Sequence, residues 1–298
     1  MVLVGLLSGQ AIRQRSEGPR TVRAVAVGDI ACDPGDTKFN GGRGAANRCA
    51  EGATSRLVGS RPDAVFLLGD QQYENATLAK FRASFAPTWG RFQGVSHPAA
   101  GNHEYVTKAA AGYFDYFGKA AGPRSTGWYS YDIGEWHVIV LNSNCRYVGG
   151  CDLGSPQERW LRADLKTHGK QRCTLAYWHH PRYSSGVHGS STSYRRWWKD
   201  LYAANADVVL VGHDHDYERF APQDPYGARK PARGIREFVI GTGGKHHGPL
   251  DARAANSEAF NNDTYGILDL TLRPAGYDWR FVPEPGRSFT DAGSGQCH

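Results

Sequence analysis

Short apolar runs recur along the chain, and each stops at a residue of a different kind. Val25-Ala26-Val27-Gly28 leads into Asp29, and Val65-Phe66-Leu67-Leu68-Gly69 leads into Asp70. Pro98-Ala99-Ala100-Gly101 leads into Asn102 and His103, and Thr174-Leu175-Ala176-Tyr177-Trp178 into His179 and His180. Val208-Val209-Leu210-Val211-Gly212 leads into His213, Asp214 and His215. Short continuous apolar runs, rich in β-branched residues, predict buried strands. In open α/β sheets, chemistry sits outside the carboxyl ends of strands. Convergence of these five ends would gather carboxylate, amide and imidazole groups.

Between the runs the pattern changes period. Helices are predicted over residues 45–58, over 75–85 with Pro87 as its stop, and over 109–117. Another is predicted over 155–168, with Ser155 as N-cap, Pro156 in the first turn and Glu158 completing a capping box. Arg195, Arg196, Trp197 and Trp198 mark an amphipathic helix with buried indoles and solvated guanidiniums. Residues 127–133 and 135–141 read as a hairpin. Strands are expected over 237–240, 266–272 and 277–282, with a tail from Phe289 onward. Helices alternate with strands early and strands dominate late, so a sheet-based α/β or α+β fold covered by helices is expected. Three stretches are expected: an N-terminal tail or signal remnant over 1–20, one catalytic domain over 21–285, and a C-terminal tail over 286–298. Met1–Leu7 is apolar but too short to span a bilayer.

Composition narrows the class. With 298 residues, 40% hydrophobic and 21% charged, the chain can bury a substantial core. A net charge of +6 is compatible with plain solubility or with attraction for anions and by itself decides neither, and no Lys/Arg block points to nucleic acid. Gly41, Gly42 and Gly44 lie in a loop without the Gly-Lys-Ser/Thr ending of a phosphate-cradling P-loop. The cysteines, Cys32, Cys49, Cys145, Cys151, Cys173 and Cys297, contain no CxxC, so an even set of disulfides is expected. Cys32–Cys49 and Cys145–Cys151 would each tie a loop leaving a strand end, and Cys173 and Cys297 are the remaining pair. Disulfides imply an oxidising compartment, hence a secreted, extracellular or periplasmic protein.

The five strand-end motifs together resemble those of the calcineurin-like metallophosphoesterases. They are Gly28-Asp29, Gly69-Asp70-Gln71-Gln72-Tyr73, Gly101-Asn102-His103-Glu104, His179-His180-Pro181 and Gly212-His213-Asp214-His215. The resemblance runs over about residues 22–282 and is greatest to the purple acid phosphatase branch. Most of the superfamily has Asp-x-His in the first motif, whereas Ala31 stands two after Asp29 here. The purple branch instead has a Tyr three after the second Asp, and Tyr73 occupies that position.

The resemblance implies a four-layer sandwich of two mixed β-sheets flanked by helices. It implies two metal ions bridged by Asp70, one held by Asp29, Tyr73 and His215 and the other by Asn102, His179 and His213. Phenolate and carboxylate suit a trivalent ion, and imidazole and amide suit a divalent one, so Fe(III) with Fe(II), Zn or Mn is expected. Two carboxylates, a phenolate and a hydroxide against a trivalent–divalent pair leave one positive charge to hold phosphate. The expected activity is phosphoric monoester hydrolysis by in-line attack of a metal-bound hydroxide on small phosphate esters. His103 and His188 are the expected catalytic histidines, while His180 is expected outside the ligand set and His246 and His247 are expected at the surface rather than lining the pocket. The rivals are a phosphodiesterase or nuclease on the same centre, a protein Ser/Thr phosphatase, and a non-catalytic phosphate- or metal-binding protein.

Overall fold

A computed structural model describes residues 20–45, 47–250 and 252–298, so residues 1–19 of the expected tail or signal remnant lie outside the described residues. In order, the elements are β1 (Val22–Val27), α1 (Glu51–Leu57), β2 (Ala64–Leu67), α2 (Leu78–Lys80), α3 (Ala86–Thr88), β3 (Ser96–Pro98) and α4 (Ala111–Phe117). They continue with β4 (Tyr129–Ile133), β5 (Trp136–Val140), α5 (Pro156–Thr167), β6 (Cys173–Tyr177), α6 (Arg195–Ala203), β7 (Val208–Val211), β8 (Tyr217–Phe220) and β9 (Arg236–Ile240). The chain ends with β10 (Ser257–Asn261), β11 (Gly266–Arg273), β12 (Gly276–Pro283) and β13 (Ala292–Gln296).

These strands form two mixed sheets, of order β13-β12-β11-β1-β2-β3 and β10-β8-β9-β7-β6-β5-β4. β1, β2 and β3 run parallel in the first. β5, β6, β7 and β9 run parallel in the second. Alternation along β1 shows why both faces are apolar. Val22, Ala24 and Ala26 face the other sheet, packed with Val138, Leu175 and Leu210. Val25 and Val27 face outward onto Phe81, Phe85 and Tyr113 of the helical layer. On the far side, Val209 and Val211 meet Leu161, Trp197, Trp198 and Leu201 of α5 and α6. A strand covered on both faces reads as a continuous apolar run. The result is the four-layer α/β sandwich.

Several elements depart from expectation. The helix expected over 45–58 begins only at Glu51, because Cys49 has a positive φ of 61° and is bonded to Cys32. The helix expected to stop at Pro87 passes through it. A π-helical turn over Phe81–Phe85, with Ala86 N donating to Phe81 O, accommodates the missing proline N–H. Ser155 caps α5 as expected, but the Glu158 carboxylate accepts from Gly154 N (2.9 Å) rather than from the cap residue. The stretch 286–298 is not a tail: β13 pairs with β12, and Cys297 is disulfide-bonded to Cys173. Main-chain pairing and the crosslink hold it there. Gly293 and Gly295 lie flat against Trp279 and Tyr277, where a Cβ would come within 2.5 and 2.4 Å of the rings. All three cysteine pairs are bonded as expected.

Candidate metal centre

The carboxyl ends of β1, β2, β6 and β7 meet at one end of the sandwich, joined there by the loop after β3. Glycine makes the approach feasible. A Cβ on Gly212 would lie 2.5 Å from Asp29 Oδ2, and one on Gly69 would lie 2.4 Å from His179 Nδ1. Asp29, Asp70 and His213 all adopt positive φ, at 59°, 49° and 73°. Such backbone conformations cost energy and cluster at functional sites.

The side chains fall into two adjoining groups. Tyr73 Oη donates to Asp29 Oδ1 (2.8 Å) and lies 3.1 Å from His215 Nε2, which is 3.4 Å from Asp29 Oδ1. His179 Nε2 lies 3.1 Å from Asn102 Oδ1, 3.2 Å from His213 Nδ1 and 3.2 Å from Asp70 Oδ2. Asp29, Asp70 and His179 offer ligand atoms within 4.8 Å of one another, which links the groups. Asp29 and His179 are wholly buried.

The donor set calls for a cation. His179 Nδ1 donates to Leu68 O (2.9 Å), so its Nε2 lone pair is aimed at an amide oxygen, a carboxylate oxygen and a second imidazole nitrogen. Only a positive centre reconciles those groups. Without a metal a proton serves: burial opposes charging His179, but Asp70 prevails and pushes it up to about 9. Burial pushes Asp70 up, yet His179, His103 and His213 together hold it well below the usual carboxylate range. Burial, then Asp29 and Asp70, drive the Tyr73 phenol well above 10. A phenolate there requires a compensating cation.

The groups open onto a cleft of about 220 Å³ lined by Asp70, Tyr73, Asn102, His213 and His215, with His103, His188, Glu74 and Lys245 around the rim. His103 Nδ1 donates to Glu74 O (2.6 Å), and its Nε2 lies 3.9 Å from Asp70 Oδ2. His188 is half exposed, and its ring is 4.1 Å from that of His213. Seven of the nine expected side chains thus line one cleft, and Asp29 and His179 lie buried beneath it, in contact with Tyr73 and with Asn102 and His213.

Other side chains there went unassigned in the sequence. Glu104, wholly buried, accepts from the backbone N–H of Asp70, Gln71, Gln72 and Gly101, tying the β2 and β3 loops together. Burial and then Asp70 push it up to about 8. All its neighbours are donors, however, so a proton on it would find no acceptor and the carboxylate is the form that fits. Lys245, 3% exposed, pairs with Glu74 and lies 4.7 Å over the Tyr73 ring. His246 is not a surface residue: it lines the cleft, its ring 4.4 Å from that of His215. His247 instead stacks on Tyr265 at 3.9 Å. His180 Nδ1 accepts from Ser143 Oγ (2.7 Å), and burial followed by His179 pushes it down to about 3.

The family model for calcineurin-like phosphoesterases matches residues 22–217. Purple acid phosphatase 21 of Arabidopsis thaliana is 32% identical over 126 residues, covering 41% of this chain and 28% of that protein. The chain therefore spans under a third of that relative. The structure of purple acid phosphatase PPD1 from yellow lupin (Lupinus luteus) has a TM-score of 0.75 at 17% identity, covering 92% of this chain and 53% of that one. GAP50, the anchor in the inner membrane complex of Plasmodium, has a TM-score of 0.65 at 14% identity, covering 93% and 89%. These two show the fold alone.

Proposed function

The chain belongs to the calcineurin-like phosphoesterase family, and from that premise we propose that it is a secreted, binuclear metal-dependent phosphatase acting on phosphate monoesters. The observation that carries the reading is the pair of ligand-type groups at the foot of one cleft, joined by Asp29, Asp70 and His179, whose ligand atoms lie within 4.8 Å of one another. Asp29, Tyr73 and His215 would hold one ion; Asn102, His179 and His213 would hold the other; Asp70 would stand between them. The donors fit Fe(III) at the phenolate position with Fe(II), Zn or Mn at the imidazole position. When bound, such a pair supplies Lewis acidity and a strong nucleophile drawn from water near neutral pH.

The protein's own side chains do the rest. His103 and Lys245 edge the cleft where the oxygens of a phosphoryl dianion would lie, and His188 faces it from the opposite loop. Their cationic and N–H groups suit a monoester's two negative charges. A cleft of about 220 Å³ is smaller than the roughly 300–1,000 Å³ of drug-sized sites, which suits one small substituent better than a diester's two. Three disulfides accord with an oxidising compartment. Among the described residues no helix is long and apolar enough to cross a membrane.

Metal-loaded protein should hydrolyse p-nitrophenyl phosphate faster than bis(p-nitrophenyl) phosphate. The reverse order would move the assignment to a phosphodiesterase. Phosphate binding with no turnover of either ester would make it a non-catalytic binding protein.

A further inference from the structure

The segment between β6 and α6 is a loop that carries His188, yet its backbone is held by buried carboxylates. Glu237 on β9 accepts from Arg182 N (2.9 Å) and Tyr183 N (3.0 Å). Glu218 on β8 accepts from Ser185 N (2.7 Å). Asp214, wholly buried between His213 and His215, accepts from His188 N (2.9 Å) and again from His188 Nδ1 (2.8 Å), both on Oδ1. Its other oxygen accepts from Ser184 Oγ. The loop closes so tightly on Asp214 that a Cβ on Gly186 would lie 2.4 Å from the Asp214 carboxyl carbon. Three acids on two strands and one turn therefore fix a single side chain at the rim of the cleft.

We propose that Asp214 is the positioning residue for His188, holding Nδ1–H so that Nε2 faces the cleft and protonates the oxygen of the leaving group. The proposal rests on the phosphatase reading above. As the P–O ester bond breaks, its electron pair stays on the leaving oxygen and the Nε2 proton moves to that oxygen. The departing group leaves as a neutral alcohol. His188 ends neutral, with its Nδ1–H still on Asp214, and the oxygen gained by phosphorus comes from water. A carboxylate that holds a catalytic imidazole in one tautomer raises turnover without touching substrate.

A merely structural Asp214 and a positioning Asp214 differ in how the loss depends on the leaving group. Alkyl oxygens need the proton, whereas dinitrophenolate departs without it. Metal-loaded parent, Asp214→Asn, His188→Ala and the double variant are assayed on ethyl phosphate and 2,4-dinitrophenyl phosphate, with metal content checked for each. Asp214→Asn should lower kcat on ethyl phosphate by about 10²-fold and on 2,4-dinitrophenyl phosphate by less than about threefold. In the His188→Ala background the same substitution should add less than about twofold, because both act through one proton. Ser184→Ala, which removes the other hydrogen bond to Asp214, should affect both esters alike. In the ¹⁵N spectrum of metal-free protein, His188, identified by its loss in His188→Ala, should carry its proton on Nδ1. Equal losses on the two esters in Asp214→Asn, additive losses in the double variant, or a bare Nδ1 in the parent would overturn the proposal. A parent that hydrolyses neither ester would sink the phosphatase reading and the proton transfer with it, while the tautomer remains a separate measured result.

Discussion

Replacing Glu104 with Gln changes one oxygen of a buried carboxylate into an NH₂ group, and every neighbour of that carboxylate is a donor. Oε2 accepts from Gly101 N (2.7 Å) and Asp70 N (2.9 Å), and Oε1 accepts from Gln71 N (3.0 Å) and Gln72 N (3.4 Å). The amide oxygen of Gln can serve one pair. Its NH₂ then confronts the N–H groups of the other. Keeping the shorter pair loses one sound bond and one long one. A hydrogen bond to a charged group contributes about 1.5–3 kcal/mol, and a buried donor left unpaired costs about 1–3 kcal/mol. Counting the 3.4 Å contact as nearly nothing, the loss is about 3 kcal/mol. In a chain of this size each kcal/mol moves Tm by roughly 2–4 °C, so Glu104→Gln should melt about 6–12 °C lower. Calorimetry on metal-free protein is the assay, because bound metal would add its own linkage. A fall below about 2 °C would refute the reasoning, since it would mean that the four N–H groups find partners without the carboxylate.

Three other outcomes follow from the same structure. Removing the Cys173–Cys297 bond, which closes a separation of 124 residues, should cost up to about 5 kcal/mol, against about 2 kcal/mol for the 6-residue Cys145–Cys151 loop; urea melts of the paired Ser variants would show a reversed order if β13 were held by its strand pairing alone. His97, stacked on Tyr131 at 4.0 Å, is pushed down to about 4 by burial. Its folded form resists protonation, so stability should be full above about pH 6.5 and fall by about 3 kcal/mol as pH drops toward 4. His97→Gln should flatten that part of the stability–pH profile, and an unchanged slope would contradict the assignment. Gly212→Ala, with its Cβ 2.5 Å from Asp29 Oδ2 and 3.5 Å from His179 Nδ1, should fold yet bind less metal; elemental analysis matching the parent would show that the strand ends have room to spare.

The strand ends were legible because their signal is local. An apolar run that stops and then presents Asp, Asn or His reads the same in one dimension as in three, and all five runs end in or directly beneath one cleft. The missed strands lack that signal. Tyr217-Glu218-Arg219-Phe220 carries charges at its centre, and Glu218 points inward only because Ser185 hydrogen-bonds it. Ala292-Gly293-Ser294-Gly295-Gln296 has no apolar pattern at all, being placed by β12, by two aromatic rings and by a disulfide. Lys245 and His246 follow a Gly-Thr-Gly-Gly stretch that reads as a plain loop. Only the pairing of β9 beside β7, with Gly28 N donating to Ile240 O, turns that loop over the cleft. Glu104 and Asp214 stood inside recognised motifs, but apart from Gly101 N the donors that give them a role come from other loops of the chain. Long-range partners of buried acids are what a single sequence hides best.

The central claim is that two ions sit among Asp29, Tyr73, His215, Asp70, Asn102, His179 and His213, and elemental analysis with a visible spectrum tests it most directly. Purified protein should carry about two metal ions per chain, about one of them iron, with a phenolate-to-ferric absorption band that Tyr73→Phe abolishes. Metal-free protein that stays colourless after loading with iron, or a band that survives Tyr73→Phe, would contradict it.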